Sequence, residues 1–349
     1  MRRLLNLRLA ALAVALGSLA GCHRGPQPLE LRGPAMGTTY SVIVTRAPND
    51  VRAGDIQAQV SAALADADRH LSGWNDASEI VRFNASRASG WQPVSRTLFD
   101  VVAQARAVSE ASGGAFDITV APLVRAWGFG AGAGDDPPEP PAAERQRLLA
   151  RVGFGRLELR EDPPALRKTV PDLSLDLDGI APGWAVDRIA ARLEALGVRD
   201  YLVELGGEVR GRGRSPGARP WRIAVETPLA GARRPEAVIE IDGAGVSTSG
   251  DYREFREVDG RRVSHTIDPR SGEPVGYGLA AVTVVCGSAA EADAWATALM
   301  VLGRAEGLAL AERLGLAALF IERGAQPGEF VESQTPQFAR LRLPDAARL

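Results

Sequence analysis

Cysteine and histidine are scarce in this sequence, and their scarcity excludes several kinds of site. Among 349 residues there are 2 Cys, 3 His and 3 Met. Three histidines cannot build a His-rich zinc centre, and the HExxH pattern of zinc peptidases is absent. An excess of charge of either sign is also lacking, because the net charge is −2. A chain with this net charge has no strong positive electrostatic potential to attract nucleic acid, so nucleic acid is not expected as a partner.

The N-terminus has the composition of a secretory signal. Arginines precede an apolar run, Leu9–Ala20, that is too short to span a membrane. The run is followed by Gly21 and Cys22, and Leu19–Cys22 looks like a bacterial lipobox. We therefore predict that residues 1–21 are a lipoprotein signal peptide and that Cys22 is lipidated, which anchors the chain to a membrane. The alternative is a plain signal peptide with an incidental cysteine.

Lipidation of Cys22 would leave Cys286 as the remaining thiol. No internal disulfide is then possible, although the compartment is oxidising. Residues 22–34 are rich in proline and glycine and are predicted to be a tether between the anchor and the folded body.

The centre of the chain, Leu173–Gly197, combines three patterns. Leucines alternate with polar residues over Leu173–Asp178, which is typical of a half-buried strand. Apolar residues then recur at helical spacing up to Gly197, and the Gly-containing turn Asp178–Gly183 lies between the two patterns. A strand, a turn and a helix N-terminus together favour an anion site. Asp176 and Asp178 would repel an anion unless a cation lies between them; an ordinary strand–helix connection with solvent-facing acids is the alternative.

A late helix, predicted over Ala289–Leu302, carries an acid among apolar residues. Ser288 and Glu291 form a capping box at its start. Asp293 and Thr297 are one turn apart and share a face. A buried Asp needs a partner, and a hard cation such as Mg²⁺ with oxygen ligands would serve. The alternative is that Asp293 lies on an exposed edge.

Other patterns predict a mixture of strands and helices without an internal repeat. Ala115–Val120 is predicted to be a short strand or an extended lead-in, and His265–Pro274 a turn-rich loop. The remaining predicted strands are Thr38–Thr45, Arg156–Leu159, Tyr201–Val209, Trp221–Val225, Ala237–Ile241, Ala280–Cys286 and Ala317–Glu322, and the remaining predicted helices are Asp55–Leu71, Ile80–Asn84, Thr97–Ser112, Ala143–Val152 and Ala305–Leu314.

Known catalytic and nucleotide-binding motifs are largely excluded. Gly245–Ser249 fails the GxSxG pattern at its last position, the central turn has no GxGxxG, and there is no Walker A lysine. What the residues support is metal-assisted chemistry on a phosphate-containing ligand.

Six segments in order, between Met36 and about Glu322, resemble the ApbE-type FAD:protein FMN transferases. They are Phe116–Val124 (FDITVAPLV) followed by Trp127–Gly130, Asp176–Ala181 (DLDGIA), Leu205–Glu208 (LGGE), Ser247–Tyr252 (STSGDY), Ser264–Pro269 (SHTIDP) and Glu291–Leu299 (EADAWATAL). The resemblance implies an α+β fold of mixed sheets with packed helices, T-fold-like. It also implies a single compact domain of two interleaved subdomains over residues 35–344.

The resemblance further implies an enzyme of the bacterial periplasm that binds FAD as substrate together with Mg²⁺. Such an enzyme transfers FMN to a threonine hydroxyl of a partner protein through a phosphoester link and releases AMP. The acceptors are typically subunits of membrane redox complexes with a Ser/Thr-Gly-Ala-Thr motif. That motif is absent from this sequence, so self-flavinylation through it is not expected.

Positions carried over from the family give an expected set of ligands. Mg²⁺ would be held by the Asp293 carboxylate, the Thr297 hydroxyl and the Gly179 carbonyl, and Ala296 could contribute only its backbone. His265 would lie beside the diphosphate and polarise or deprotonate a group during transfer, with a loop-fixing hydrogen bond to Asp268 as the alternative. The expected contacts of FAD are Met36, Trp74, Ala115, Phe116, Asp117, Asp176, Pro182, His265 and Ile267.

Two of these positions depart from the family pattern. Trp74 stands where Tyr is usual, which keeps a stacking face and changes its polar tip. Pro182 stands where many members have Lys, so a charge contact to the nucleotide is missing. Three other functions stay open from the sequence: an FAD pyrophosphatase that gives FMN and AMP, a non-catalytic flavin-binding or trafficking lipoprotein, and a purely structural envelope lipoprotein.

Overall fold

The computed structural model describes residues 27–134, 138–229, 234–252, 255–258, 261–276, 278–326 and 328–344. The predicted signal peptide and Cys22 lie outside these ranges. The strands are β1 (Leu29–Ala35), β2 (Thr38–Arg46), β3 (Gln92–Pro93), β4 (Leu157–Arg160), β5 (Ala165–Lys168), β6 (Asp200–Leu205), β7 (Glu208–Arg212), β8 (Trp221–Glu226), β9 (Pro235–Ile241), β10 (Ala244–Gly250), β11 (Phe255–Val258), β12 (Arg261–Ser264), β13 (Leu279–Cys286), β14 (Ala317–Arg323) and β15 (Phe330–Gln334). The helices are α1 (Ala53–Leu71), α2 (Glu79–Ala85), α3 (Arg96–Ala111), α4 (Ala121–Ala126), α5 (Ala142–Leu149), α6 (Ala181–Ala195), α7 (Ala289–Leu314) and α8 (Pro336–Leu341), with single 3₁₀ turns at Ile118–Val120 and Phe154–Arg156.

One large sheet organises the described chain. Eight strands lie in the order β1-β2-β6-β7-β10-β13-β14-β15, and each neighbouring pair is antiparallel. The helices α1, α3, α6 and α7 cover one face. The hairpin of β8 and β9 and the short helix α8 cover the other face. The predicted α+β arrangement of sheets with packed helices is confirmed.

Strand β13 shows why the sheet needs a cover on both faces. Its residues are nearly all buried, and they alternate between two cores. Val282 and Val284 face the helices, whereas Ala281 and Val285 face the hairpin. Leu279 also faces the helices despite its odd number, because the register shifts between Leu279 and Ala281.

Helix α7 begins and bends where its sequence dictates. The Ser288 hydroxyl accepts a hydrogen bond from the Glu291 amide at 3.1 Å, as expected of an N-cap. Gly303, with φ 71°, interrupts the helical geometry, so the predicted end at this glycine is a kink within α7. Among the described residues, α7 is the one helix that is long and apolar enough to cross a membrane, and 56% of its most apolar stretch is buried in the fold.

Four segments differ from their sequence-based predictions. The second half of the predicted tether forms β1, which pairs with β2 from Leu29 onwards. Tyr201–Val209 is two strands, because Gly206 and Gly207 have positive φ and turn the chain between β6 and β7. Ala115–Val120 ends in a 3₁₀ turn, and the alternating leucines of the central segment belong to no sheet. The other predicted helices and strands are confirmed, with ends that differ by a few residues.

Candidate functional site

The central segment pairs with no strand in the part of the chain that the structure describes. Leu173, Leu175 and Leu177 are buried, as their alternation predicts. The backbone of Leu175 is instead paired with the side chain of Asn84, which donates to the Leu175 carbonyl at 2.8 Å and accepts from its amide at 2.7 Å. The amide of Asp176 donates to the Ile118 carbonyl at 2.6 Å. These bonds satisfy the buried backbone and present Asp176 at the surface of a cleft.

The cleft has a volume of about 370 Å³ and lies beside the bend that follows this segment. Burial raises the pKa of Asp176, while the Asp178 amide and the positive charges of Arg125 and His265 act in the opposite direction. The polar side chains that line the cleft are Asp76, Asn84, Arg125, Asp176 and Asp178, with Trp74 as the aromatic one.

The acid on α7 is buried, which excludes the exposed-edge alternative for Asp293. Its exposure is 5%, and one carboxylate oxygen accepts a hydrogen bond from the Gly183 amide, in the first turn of α6, at 3.4 Å. Burial raises its pKa well above the usual value, and the negative charges of Glu208 and Asp178 add to the rise. A carboxylate held among other acids in this way is stabilised by a cation.

Thr297 and Gly179 meet beside this acid. A β-carbon at residue 179 would lie 3.2 Å from the Thr297 hydroxyl oxygen and 3.3 Å from the ring of Phe116. The hydroxyls of Ser249 and Thr297 are 3.2 Å apart. The turn after the central segment therefore lies against the helix that carries Asp293, as the resemblance implies.

The donors around this point fit a hard cation better than a soft one. They are a carboxylate, hydroxyls and backbone carbonyls, which are ligands that Mg²⁺ prefers. No group of three or more His, Cys, Asp or Glu in the described ranges is arranged to hold a metal. An ion here would rest on the Asp293 carboxylate and neutral oxygens, with further negative charge nearby on Asp178 and Glu208. Mg²⁺ commonly completes such a shell with water and substrate phosphates. Ala296 is buried in the core, so only its backbone is available.

One wall of the cleft carries an exposed aromatic ring. Trp74 has an exposure of 60%, which is unusual for so large an apolar side chain. The turn between β1 and β2 lies close to it, because a β-carbon at Gly37 would be 4.0 Å from the Trp74 ring. Met36 in that turn has a positive φ of 48°. The turn that contains Met36 therefore lies next to Trp74; the family resemblance implies both as FAD contacts.

Three consecutive predicted FAD contacts lie deeper in the fold. Ala115 and Phe116 are buried, with exposures of 1% and 4%. The Asp117 carboxylate accepts from the Thr119 amide and hydroxyl at 2.8 and 2.7 Å and from the Phe154 amide at 2.6 Å. Burial raises its pKa and these bonds oppose the rise. In the described fold, Asp117 thus fixes the turn that places the Phe116 ring against Gly179.

His265 directly follows β12 and does not line the cleft, but it interacts electrostatically with Asp176, which does. Its charge is among those that act on Asp176, and its ring meets the edge of Phe129 at a centroid distance of 6.3 Å. Asp268 pairs with Arg270 through two side-chain bonds of 2.9 and 3.0 Å. Ile267 is buried in a small cluster with Trp127.

Pro182 occupies the first turn of α6. A proline is tolerated there because the backbone N–H that it lacks would have no hydrogen-bond partner within the helix. Its side chain is half-buried. The N-terminus of α6 contributes its own partial positive charge.

Sequence reasoning missed three polar residues near the cleft. Asn84 and Arg125 line it, and the fully buried Lys168 donates to the Asn84 carbonyl at 3.2 Å and the Ser86 carbonyl at 2.8 Å. Burial lowers the pKa of Lys168 to about 8. No local signal marks these residues, because Asn84 and Lys168 contact segments that are distant in sequence.

The fold and the candidate site describe an α+β protein in which a cleft borders the turn that lies against the helix carrying Asp293. The family model described as "ApbE family" matches residues 36–320. The chain belongs to the ApbE family.

Relatives and solved structures agree with this assignment. The FAD:protein FMN transferase of Salmonella typhimurium is 36% identical over 94% of this chain and 95% of its own. The apo flavinyl transferase ApbE of Pseudomonas stutzeri is 43% identical, covers 90% of this chain and 96% of its own, and superposes with a TM-score of 0.82. The flavin transferase ApbE of Vibrio cholerae is 35% identical, covers 90% and 99%, and also has a TM-score of 0.82.

Proposed function

We propose that this chain is an FAD:protein FMN transferase that uses Mg²⁺ and modifies a threonine hydroxyl of its acceptor. The observation that carries the proposal is the meeting of Asp293, Thr297 and the Gly179 turn. This meeting places a buried carboxylate with a raised pKa beside a cleft sized for part of a dinucleotide. The names of the curated relatives support the same activity.

Mg²⁺ would be held by the Asp293 carboxylate, the Thr297 hydroxyl and the Gly179 carbonyl, with the Ala296 backbone nearby. When bound, it would offset the negative charge of the diphosphate as the AMP half leaves. Ser249 orients the Thr297 hydroxyl through their 3.2 Å contact. The N-terminus of α6 adds partial positive charge on the same side.

Transfer forms one P–O bond and breaks another. The acceptor threonine oxygen attacks the phosphorus of the FMN half, and the bond to the AMP phosphate breaks. His265 is our candidate to take the threonine proton, and Asp176 stabilises the imidazolium that results. Trp74 and the Met36 turn supply an apolar surface for the nucleotide.

The partner that we propose is a membrane redox-complex subunit with a Ser/Thr-Gly-Ala-Thr segment. We further propose that the enzyme works in the bacterial periplasm, held to the membrane through lipidated Cys22, with inner or outer membrane left open. Fractionation of cells that express the full chain tests the anchor. The Cys22→Ala variant should leave the membrane fraction, whereas retention there would contradict lipid anchoring at this cysteine.

The activity is tested with the purified chain, FAD and Mg²⁺, with and without an acceptor domain that carries the motif. We expect a fluorescent flavinylated acceptor and AMP in equal amounts, and none with an acceptor whose threonine is replaced by alanine. AMP released equally without acceptor would mean that water is the acceptor and that the chain is an FAD pyrophosphatase. FAD that stays uncleaved in both reactions would point to a flavin-binding lipoprotein without turnover.

A further inference from the structure

The charge of the cleft is unfavourable for the proposed substrate. Three carboxylates line it, those of Asp76, Asp176 and Asp178, while FAD carries negative charge on its diphosphate. Among the described residues that line the cleft, Arg125 is the one basic side chain. An anionic substrate therefore meets its nearest fixed positive charge at Arg125.

Arg125 is held at a defined place in the cleft. One terminal nitrogen donates to the Ser174 hydroxyl at 2.8 Å, and its charge interacts with that of Asp176. Burial lowers its pKa and Asp176 opposes that change, yet a guanidinium stays protonated in proteins. A fixed, partly desolvated guanidinium has five N–H donors in a planar fork, which suits the oxygens of a phosphate.

The surroundings of Arg125 leave room for a ligand to approach closely. Gly130 and Gly132 border the same part of the cleft, and both have positive φ. A β-carbon at Gly130 would lie 3.2 Å from the Val124 side chain and 3.9 Å from an Asp176 carboxylate oxygen, and one at Gly132 would lie 3.9 Å from the Arg125 side chain. The backbone can therefore come near the ligand beside the guanidinium.

The position relative to His265 indicates which part of FAD Arg125 would meet. Both Arg125 and His265 interact electrostatically with the Asp176 carboxylate. His265 is the proposed proton acceptor for attack on phosphorus and must lie near the diphosphate. Because Arg125 and His265 share Asp176 as a neighbour, we expect Arg125 to lie within reach of the same group.

We propose that Arg125 binds a phosphate oxygen of the FAD diphosphate and so makes the cleft selective for phosphorylated ligands. When FAD enters the cleft, the guanidinium interacts with both the Asp176 carboxylate and the phosphate oxygen. This inference rests on the proposed function, because it takes FAD as the ligand.

The test measures binding with EDTA present, so that no turnover occurs, for three probes. They are FAD, ADP-ribose, which has the diphosphate without the flavin, and riboflavin, which has the flavin without phosphate. We expect Arg125→Gln to weaken FAD and ADP-ribose by about 10- to 100-fold and riboflavin by less than about twofold. Arg125→Lys keeps the charge but loses the planar set of N–H donors, so its affinity for FAD and ADP-ribose should lie between those of the parent chain and Arg125→Gln.

Arg222→Gln is the matched control, since Arg222 pairs with Glu240 on the hairpin of the opposite sheet face. It should bind all three probes like the parent chain. Unchanged FAD affinity in Arg125→Gln, or an equal loss for riboflavin, would overturn the assignment, and Arg125→Lys decides the matter if the glutamine variant does not fold. A parent chain that binds FAD through Arg125 but transfers no FMN would refute the proposed function and leave this inference standing.

Discussion

Gly183 of α6 lies directly against the backbone of α7, and a single methyl group there should disable the site. A β-carbon at this position would lie 2.5 Å from the Ala289 carbonyl oxygen and 2.7 Å from the Ala290 α-carbon. These are backbone atoms, so no side chain can move aside. Normal van der Waals contact requires the helices to separate by about 1 Å.

The separation has two consequences of calculable size. Overpacking of this kind costs about 1–3 kcal/mol of stability, which lowers the melting temperature by roughly 2–5 °C in a domain of this size. It also moves the Gly183 amide and the Gly179 turn away from Asp293 and Thr297. A misplacement of about 1 Å at a reacting centre can cost roughly 100-fold in rate.

The assay compares Gly183→Ala with the parent chain by thermal unfolding and by kcat/KM for FMN transfer to a fixed acceptor. Gly54→Ala is the control, because a β-carbon at Gly54 in α1 meets nothing within 4 Å. It should keep both activity and melting temperature. A Gly183→Ala chain that transfers FMN at the parent rate would refute the idea that the contact between α6 and α7 positions the metal ligands.

Three further changes test other parts of the site. In EDTA at neutral pH, Asp293→Asn should raise the melting temperature. The pKa of Asp293 is raised in the folded chain, so its contribution to stability is present at low pH and is lost as the pH rises through that pKa, whereas asparagine does not ionise. An unchanged or lower melting temperature would contradict this. Asn84→Ala should lower the free energy of unfolding by about 2 kcal/mol or more in urea titrations, since both backbone bonds to Leu175 are lost. Thr297→Val should abolish FMN transfer without loss of folded protein by circular dichroism, and Thr297→Ser should restore part of the rate.

Local patterns predict the elements whose residues interact within themselves. The helix around Asp293 is an example, because capping by Ser288 and the one-turn spacing to Thr297 are both encoded within ten residues. The candidate cation site could therefore be predicted from two short segments, the Gly179 turn and the helix with Asp293, together with the family resemblance. Burial of Asp293, which decides between the two readings of that helix, is visible only in the fold.

Features that depend on distant partners are missed for the same reason. The leucines of the central segment alternate as in a strand, but Asn84, 91 residues away, takes the place of a neighbouring strand. The segment that forms β1 contains Gly33 and Pro34, and its composition is typical of a tether. It becomes a strand because it pairs with β2. Arg125 carries no motif and gains a role only because the fold sets it beside Asp176.

The central claim is that the Asp293 carboxylate binds the Mg²⁺ ion that supports FAD binding. Titration of FAD into the purified chain, with Mg²⁺ and with EDTA, tests it most directly when the same pair of titrations is made on Asp293→Asn. We predict that Mg²⁺ tightens FAD binding by the parent chain and has no effect on the variant. An equal response to Mg²⁺ in both proteins would contradict the account.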